Sequence, residues 1–329
     1  MILNGRSVLV TGATGSFGTA FVRAILKEHS PARVVVFSRD EMKQYDMQQL
    51  AELRDDRRLR YFIGDVRDAE RLELAMREID IVVHAAALKQ VPTAEYNPFE
   101  CIHTNVLGAE NVVRAALRNR VRQVMALSTD KAANPINLYG ASKLASDKIF
   151  IAANNLSGSV GTQFSVVRYG NVIGSRGSVV PFFGKLAQEG ASEIPITDPR
   201  MTRFLITLQQ GVRFVLSCLE TMQGGEIYVP KIPSIKIVDV ATALAPGVPQ
   251  RTVGIRPGEK LHEVMVTEDD ARNTYDLGDR YVIEPSFSFG QRQRDKPAGV
   301  AVPNDFRYSS DGNDEWLTPE GLLALLQAG

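Results

Sequence analysis

The sequence of 329 residues predicts an α/β protein with a doubly wound parallel sheet and a smaller C-terminal domain. Up to about residue 172, short apolar runs alternate with amphipathic segments of helical spacing. This alternation is typical of parallel strands joined by crossover helices. Beyond that point glycine and proline interrupt shorter elements, as at Pro181, Gly190 and Pro195, and the regular alternation ends.

The apolar runs place the individual elements. Strands are expected at 7–11, 33–37, 59–63, 81–84, 123–127, 163–168 and 226–229, the last of which returns to the sheet. Helices are expected from the turn after the first strand to about residue 28, at 69–77, 98–118, 139–155 and 207–222, and after Pro319.

The overall composition bears on the kind of partner. The 38 basic and 38 acidic residues balance, so nothing favours nucleic acid or an anionic membrane. No apolar run approaches the roughly 20 residues that cross a bilayer, and the N-terminus lacks a signal-peptide core. Cys101 and Cys218 lack the spacing of a metal site, and two reduced thiols are expected. We therefore expect a cytoplasmic protein without metal, nucleic-acid or membrane partners.

A glycine-rich turn follows the first predicted strand. Strand, turn and helix in this order are the context of a dinucleotide-binding site. Gly12 permits the tight turn, Gly15 lets the backbone approach the pyrophosphate, and Gly18 lets the helix pack on the strand. The helix N-terminus then faces the phosphates. The residues predicted to contact the cofactor here are Gly12, Thr14, Gly15, Ser16, Phe17 and Gly18.

The end of the second strand bears on which dinucleotide binds. An acidic residue here commonly accepts a hydrogen bond from the ribose of NAD, whereas arginine suits the 2′-phosphate of NADP. The sequence has Ser38 and Arg39 at this point and Lys43 one helical turn later, which favours NADP. Asp40 and Glu41 follow directly, so NAD remains the alternative.

Two further loops at strand ends are candidates for the cofactor site. Asp65 and Val66 follow the third strand, where the carboxylate could meet the adenine edge or cap the helix at 69–77. Small side chains at Ala85–Ala87 follow the fourth strand and let the backbone pass close to a ligand. These features predict a Rossmann-type domain that binds NADP at 1–172, to which about 203–230 returns, and a mainly substrate-binding domain with the C-terminal tail at 173–329.

Three polar residues near the fourth strand have more than one interpretation. Lys89 could reach a substrate phosphate or be a solvated lysine. His84 lies within a strand, where a core histidine is favoured over a catalytic one. Asn105 is polar among apolar neighbours, which suggests hydrogen bonds to the active-site loop or to a water.

Tyr139 and Lys143 are four residues apart and therefore share one face of a predicted helix. An ammonium close to a phenol favours the phenolate. We therefore expect Lys143 to lower the pKa of Tyr139 from its ordinary value of about 10 and to make it a base near neutral pH. A hydroxyl, a carboxylate and an amine precede this helix at Thr129, Asp130 and Lys131. They follow the fifth strand, at the edge where ligands bind in open α/β sheets.

Isolated arginines in the second half of the chain could bind an anion. Arg256–Lys260 is a basic turn flanked by glycine and fits an anionic ligand. Arg176, Arg203 and Arg256 are candidates for a diphosphate, although each alone could be an ordinary surface charge.

Together these motifs resemble the extended short-chain dehydrogenase/reductases, on the segments Thr11–Gly18, Gly64–Asp68, Ala85–Ala87 and Tyr139–Lys143. Within that group the chain is similar to the configuration-inverting UDP-N-acetylglucosamine 4,6-dehydratases, on Ser128–Pro135, Arg168–Val172, Gly174–Pro181, Thr197–Arg203 and Gly254–Lys260. Two more segments, Asp269–Thr274 and Tyr308–Asp311, resemble the branch that begins pseudaminic acid synthesis. One departure is Ala13, where relatives often carry glycine.

The resemblance implies a catalytic cycle. Tyr139 removes the proton of the C4 hydroxyl, Lys143 holds the phenolate and the nicotinamide ribose, and Thr129 hydrogen-bonds the C4 oxygen. After oxidation at C4, Lys131 removes the C5 proton and Asp130 protonates the departing C6 hydroxyl. Reduction at C6 and reprotonation of C5 on the opposite face complete the reaction. Lys131 must be neutral to act as a base, and we expect burial beside Lys143 and the cationic nicotinamide to lower its pKa.

The resemblance also implies which residues bind the nucleotide sugar and how the chain assembles. The substrate residues it implies are Lys89, Asn171, Arg176, Arg203, Arg256 and Glu259, and Val172 would contact the cofactor. A homo-oligomer, a hexamer, is implied as well.

Two alternatives to an inverting dehydratase remain open. A UDP-hexose 4-epimerase of the same fold needs only the tyrosine, the lysine and a hydroxyl, without an acid and a base beside Thr129. Configuration-retaining dehydratases have Asp-Glu where this chain has Asp130 and Lys131. A non-catalytic NADP-binding regulator is the other alternative, although such modules commonly lack the tyrosine or the lysine that this chain has.

Overall fold

A computed structural model describes residues 2–175, 178–287, 295 and 297–328. The strands are β1 (Ser7–Thr11), β2 (Arg33–Ser38), β3 (Leu59–Ile63), β4 (Ile81–His84), β5 (Gln123–Thr129), β6 (Gln163–Tyr169), β7 (Asn171–Val172), β8 (Ile194–Ile196), β9 (Thr202–Ile206), β10 (Ile227–Pro230), β11 (Ser234–Lys236), β12 (Gln250–Thr252), β13 (Val264–Val266), β14 (Thr274–Asp276), β15 (Arg280–Ile283), β16 (Val300–Ala301) and β17 (Tyr308–Ser309).

The α-helices are α1 (Ser16–Glu28), α2 (Glu41–Gln48), α3 (Ala69–Ala75), α4 (Val91–Tyr96), α5 (Pro98–Ile102), α6 (Gly108–Arg118), α7 (Leu138–Leu156), α8 (Val179–Gln188), α9 (Leu208–Thr221), α10 (Ile237–Leu244), α11 (Glu268–Ala271) and α12 (Pro319–Ala328). A π-helical turn (His103–Leu107) joins α5 to α6, and 3₁₀ turns cover Asp130–Ala132 and Gly158–Val160.

One large sheet organises the molecule. Within the described residues its strand order is β16-β14-β15-β10-β6-β5-β4-β1-β2-β3. From β10 to β3 neighbouring strands are parallel, and the segment from β3 to β6 has the order typical of a doubly wound dinucleotide-binding fold. The predicted fold class is therefore confirmed.

The predicted strands of the sheet are all present, and the central ones are apolar runs buried on both faces, whereas the edge strand β3 is partly exposed. Every residue of β4 is buried, as are all residues of β1 and β2 except the first of each. The predicted strand at 226–229 appears as β10, which pairs with β6 through Ile227 and Val166. The helix predicted at 98–118 is helical throughout, but it consists of α5, the π-helical turn and α6.

Two large hydrophobic clusters form the core of the described residues, and a small third one contains Tyr139. The larger one fills the space between the sheet and its helices. The second contains side chains from α8, β8, β9, β11, α10 and α12. The predicted division into two domains at residue 172 remains a prediction. Among the helices that the structure describes, none combines the length and the apolar character needed to span a bilayer.

Candidate active site

A cavity of about 1420 Å³ opens at the carboxyl ends of β1, β4, β5 and β6. Pockets for one drug-sized ligand measure about 300–1,000 Å³, so this cavity has room for a dinucleotide and a second ligand. The cavity is lined by these predicted cofactor residues: Gly12, Thr14, Gly15, Ser16, Phe17, Gly18, Ser38, Arg39, Lys43, Asp65, Val66, Ala85, Ala86, Ala87, Tyr139, Lys143 and Val172. It is also lined by Lys89, Thr129, Lys131, Asn171, Arg203, Arg256 and Glu259.

The glycine-rich turn has the geometry that a pyrophosphate requires. Gly12 has a φ of +63°, and a Cβ there would lie 2.8 Å from the backbone nitrogen of Ala86. A Cβ on Gly18 would overlap the backbone of Ala13, so the close packing of α1 on the turn depends on glycine. Among the residues that the structure describes, no side chain caps the N-terminus of α1, which leaves N–H groups of its first turn available to an anionic group. The turn therefore fits a dinucleotide.

The end of β2 places cationic side chains beside the cavity. Arg39 is exposed and lies 3.7 Å from Asp65, and the Lys43 ammonium lies 2.9 Å from Asp40. Asp40 also caps α2 by accepting a hydrogen bond from the Lys43 backbone. Asp65 and Asp40 therefore partly balance the positive charges of Arg39 and Lys43 at the cavity.

Asp65 does not cap α3. That role belongs to Asp68, whose side chain accepts a hydrogen bond from the backbone nitrogen of Arg71. Asp65 instead receives a hydrogen bond of 2.8 Å from Arg67, and this interaction and Arg39 hold the pKa of the Asp65 carboxyl below its usual value despite burial. The capping alternative from the sequence is therefore wrong, and the contact with adenine remains a prediction.

Asn105 holds the loop that follows β4. Its side-chain oxygen accepts a hydrogen bond from the Leu88 backbone at 2.8 Å, and its amide donates to the Leu88 carbonyl at 2.9 Å and to Ser142 at 2.9 Å. The predicted loop-holding role is therefore confirmed. His84 is buried at 1% exposure and its Nδ1 lies 2.8 Å from the Thr11 hydroxyl, so it is the core histidine that the sequence favours.

Tyr139 and Lys143 lie on the first two turns of α7, as predicted from their spacing. The Asn137 side chain caps this helix by accepting from the Gly140 backbone at 2.7 Å. The Lys143 ammonium donates to the Leu127 carbonyl at 2.8 Å. An asparagine directly before an apolar helical run is a capping signal that sequence reasoning could have used.

The expected pKa of Tyr139 is wrong for the protein without its ligands. Burial of the phenol raises the pKa to about 12, and the nearby Lys131 and a hydrogen bond with Thr129 offset this only in part. Burial also lowers the pKa of Lys143, against the opposing effect of Asp147. Burial therefore keeps the Tyr139 phenol protonated in the protein without ligands. A positive charge close to the phenol is required to lower its pKa towards neutral pH.

The expected pKa of Lys131 is wrong as well. Burial alone would lower this pKa, but the carboxylates of Asp130 and Glu263 outweigh burial and raise it above the ordinary value of a lysine. The ammonium lies 3.0 Å from Asp130 and 3.3 Å from Glu263, and it donates to Asn171 at 3.4 Å. Lys131 is therefore an ammonium in the resting protein, with its side chain at the cavity surface.

Asp130 lies behind the cavity surface. Its side chain is fully buried, and it does not line the cavity. One carboxylate oxygen accepts from the Thr129 hydroxyl at 2.9 Å and from Lys131, and the other has no hydrogen-bond partner among the described residues. Burial raises the pKa of this carboxyl, and Glu263 adds to the effect while Lys131 opposes it.

Glu263 was not predicted from the sequence. It directly precedes β13, is 1% exposed and lines the cavity beside Lys131. No local pattern marks it, because Lys131 and Arg203, the cations closest to it, come from distant segments of the chain. Burial alone would raise its pKa, but Lys131, Arg203 and Lys260 outweigh burial and hold it below the usual value.

The predicted anion-binding residues differ in availability. Arg203 is 7% exposed and already donates to the carbonyls of Thr202 and Lys260, at 2.7 and 3.0 Å. Arg256 is exposed and lies 3.3 Å from Glu259. Lys89 is exposed at the cavity rim. Arg176 falls outside the described residues.

The sheet order, the glycine turn and the Tyr139–Lys143 pair define the class of extended short-chain dehydrogenase/reductases. A family model described as polysaccharide biosynthesis protein matches residues 8–285, and the chain belongs to that family.

Relatives with assigned activities are similar over most of the chain. The chain is 54% identical over 331 residues to the UDP-N-acetylglucosamine 4,6-dehydratase (inverting) of Campylobacter jejuni serotype O:2, with 99% of this chain and 98% of the relative covered. It is 43% identical over 285 residues to the UDP-glucose 4-epimerase of Rickettsia canadensis, with 84% and 82% covered.

Solved structures share the architecture. The X-ray structure of Pen from Bacillus thuringiensis matches with a TM-score of 0.90 and 35% identity, and covers 100% of this chain and 99% of its own. DesIV, a dTDP-glucose 4,6-dehydratase from Streptomyces venezuelae solved with NAD and TYD bound, matches with a TM-score of 0.68 and 26% identity, over 78% and 86%.

Proposed function

We propose that this protein is an inverting UDP-N-acetylglucosamine 4,6-dehydratase, a hydro-lyase that forms UDP-2-acetamido-2,6-dideoxy-β-L-arabino-hex-4-ulose. The observation that carries the proposal is the Lys131 amine at the cavity surface, in contact with the buried carboxyl of Asp130 and close to Tyr139. An epimerase needs no such acid and base. The similarity to the Campylobacter jejuni dehydratase over almost the whole chain supports the same activity.

The cofactor in this proposal is a nicotinamide dinucleotide, and NADP rather than NAD. The glycine turn would hold its pyrophosphate, and Arg39 and Lys43 would meet a 2′-phosphate. The NAD bound to DesIV supports the nicotinamide class. When bound, the dinucleotide would supply reversible oxidation and reduction of the sugar and, in its oxidised form, positive charge in the cavity.

Tyr139 and Lys143 carry out the first proton transfer. Tyr139 takes the proton of the C4 hydroxyl while Thr129 hydrogen-bonds the same oxygen. For this step the pKa of Tyr139 must fall from about 12, and positive charge in the cavity acts in that direction. Lys143 stays fixed one helical turn after Tyr139 through its hydrogen bond to the Leu127 carbonyl.

Lys131 and Asp130 carry out the elimination. Transfer of one proton from the Lys131 ammonium to Asp130, across 3.0 Å, produces a neutral amine and a protonated carboxyl together. The amine removes the C5 proton, which the 4-ketone has made acidic, and the proton of Asp130 goes to the C6 hydroxyl, which leaves as water. Because Asp130 does not line the cavity, its proton passes through the Thr129 hydroxyl, which does. The step ends with the original ion pair.

Three wider predictions accompany the proposal and rest on the resemblance. The product enters pseudaminic acid synthesis, in which this is the first step, and that sugar serves flagellin glycosylation. The chain assembles as a homohexamer in the cytoplasm. Light scattering of the full chain in solution tests the assembly.

The test is incubation of the full chain with UDP-N-acetylglucosamine and NADP in D₂O. We expect a product lighter by one water, with deuterium at C5. Lys131→Ala should lower C5 deuterium incorporation by about 10²-fold or more, the usual contribution of a general base. Lys148→Ala removes an exposed lysine of α7 and should change nothing.

A 4-epimerase is the second candidate, because the chain is 43% identical to a UDP-glucose 4-epimerase and has its minimal residues. Epimerisation leaves the mass of the sugar nucleotide unchanged. A product of unchanged mass with UDP-glucose or UDP-N-acetylglucosamine overturns the dehydratase proposal. Recovery of unaltered substrate from both incubations favours a binding protein.

A further inference from the structure

Glu263 is a buried carboxylate at the cavity surface with no role in the cycle above. One of its oxygens lies 3.3 Å from the Lys131 ammonium and 3.7 Å from the Arg203 guanidinium. The other oxygen lies 3.9 Å from the Lys260 ammonium and has no hydrogen-bond partner among the described residues. An ionised carboxylate at 1% exposure is costly unless its neighbours compensate it.

The surroundings hold Glu263 in one place. Its backbone nitrogen donates to the Ser310 hydroxyl at 2.9 Å, and its carbonyl accepts from the Ser310 backbone at 2.8 Å. The Lys260 ammonium donates to the Ala133 carbonyl, so it is tied to the turn that follows Lys131. Ser310 thus holds the backbone of Glu263, and Lys260 lies between its carboxylate and the turn that contains Lys131.

Several charged groups face Lys131, and Glu263 differs from each of them. Asp130 is the neighbour in sequence, behind the cavity surface. Arg203 repels the ammonium, as does Lys260, and Tyr139 lies near it. Glu263 is the carboxylate that contacts Lys131 from a distant segment of the chain, and it also lines the cavity.

We propose that Glu263 is a positioning residue for Lys131, which holds the amine at the cavity surface and sets the pH above which it removes the C5 proton. This inference rests on the proposed dehydratase activity. A fixed negative charge at this distance stabilises the ammonium, so it disfavours both the proton transfer to Asp130 and the loss of the proton to solvent, and more alkaline conditions are needed before the free amine forms. Removal of that charge acts in the opposite direction.

Glu263→Gln keeps the shape of the side chain and removes its charge. The midpoint of C5 deuterium incorporation against pH should move at least about one unit to lower pH, as expected for the loss of one close charge. Glu263→Asp keeps the charge and should retain the wild-type midpoint. Glu193→Gln removes a carboxylate from an exposed ion pair with Arg251 and should leave the profile unmoved.

A second measurement needs no turnover. Trace acylation with acetic anhydride, read by mass spectrometry of peptides, reports the free-amine fraction of each lysine. At pH 9 the rate at Lys131 relative to Lys148 should rise about tenfold or more in Glu263→Gln. In the wild-type protein the rate at Lys131 should still increase with pH after the rate of a model lysine peptide, with a pKa of about 10.4, has levelled off.

The outcomes separate this inference from the proposed function. Unchanged acylation and an unchanged pH midpoint in folded Glu263→Gln overturn the positioning role. If that variant does not fold, a wild-type Lys131 whose rate levels off together with that of the model lysine peptide overturns it equally. If the wild-type protein forms no dehydrated product, the proposed function fails, whereas the acylation result still decides whether Glu263 controls the Lys131 amine.

Discussion

His84 is a buried neutral imidazole at the end of β4, next to the loop that lines the cavity. Burial lowers its pKa to about 3, and the nearby Lys143 adds to this. A histidine in an unfolded chain has a pKa of about 6.5. Below pH 6.5 the unfolded chain therefore takes up a proton that the folded protein does not, so stability is complete above this pH and decreases as the pH falls towards 3.

We predict that His84 contributes a slope of about 1.4 kcal/mol per pH unit below pH 6.5, or roughly 2–3 kcal/mol between pH 6.5 and pH 4.5. The difference in unfolding free energy between the wild type and His84→Gln, from urea titrations at several pH values, isolates this contribution. The same substitution at exposed His103 should leave the pH dependence as it is. Parallel curves for wild type and His84→Gln would contradict the prediction.

Single residues also show what sequence could and could not indicate. The types and spacing of Thr129, Lys131, Tyr139 and Lys143 predict side chains in one cavity, and the structure brings them together. The expected pKa changes of Lys131 and Tyr139 were wrong. The first depends on Asp130, the neighbour in sequence, and on Glu263, which comes from a distant segment, and the second on the depth of burial. Neither the contribution of Glu263 nor the depth of burial is encoded in local spacing.

At the level of elements, α7 packs against the turn that holds Lys131. Gly140 lies in the first turn of this helix and is buried. A Cβ there would overlap the Lys131 carbonyl oxygen and lie 3.1 Å from Pro135. The contact between helix and catalytic turn is backbone to backbone, and only glycine permits it.

Gly140→Ala should therefore push the Lys131 turn out of place. We expect a loss of about 1–3 kcal/mol of unfolding free energy from overpacking and a decrease in kcat of about tenfold or more. Urea unfolding and turnover measure the two effects. Gly211→Ala in α9 is the matched control, since within the described part of the chain a Cβ on Gly211 would have no heavy atom within 4 Å outside its own helix backbone, and it should stabilise by up to about 1 kcal/mol. Equal behaviour of the two variants would contradict the close packing of α7.

The bounds of strands and helices were predicted best where one sequence pattern dominates. The bounds of β1, β3 and β4 agree with the predicted strands to the residue. β1 and β4 are buried apolar runs, and β3 is a partly exposed edge strand with a β-branched and aromatic end. The π-helical turn His103–Leu107 was not predicted, because the helical spacing of apolar residues continues before and after it. Asn105 lies in this turn, and its contacts with Leu88 and Ser142 are long-range.

At the level of the whole molecule, the strand order assembles the site. β4 separates β1 from β5, so the glycine turn and the Thr129–Lys131 segment open onto one edge of the sheet. The parallel part was predictable from the alternation of strands and helices. The antiparallel extension by β15, β14 and β16 was not, because these strands are two to four residues long and their pairing depends on contacts formed after the chain has folded.

The choice between NADP and NAD is also a property of the whole folded chain, because a ligand that binds only the folded state stabilises all of it. At a concentration of 100 times its Kd, a ligand adds about 2.7 kcal/mol to the unfolding free energy. Arg39 is exposed at the cavity, and we expect Arg39→Ala to weaken NADP binding about tenfold or more.

Arg39→Ala should therefore lose about 1.3 kcal/mol of the stabilisation by NADP at that fixed concentration, while the effect of NAD stays the same. Urea unfolding with each dinucleotide measures both. Arg114→Ala removes an arginine from an exposed ion pair on α6 and should keep the wild-type response. Stronger stabilisation of the wild type by NAD than by NADP at equal concentration would reverse the assignment, because Asp40 and not Arg39 would then be the residue that meets the ribose.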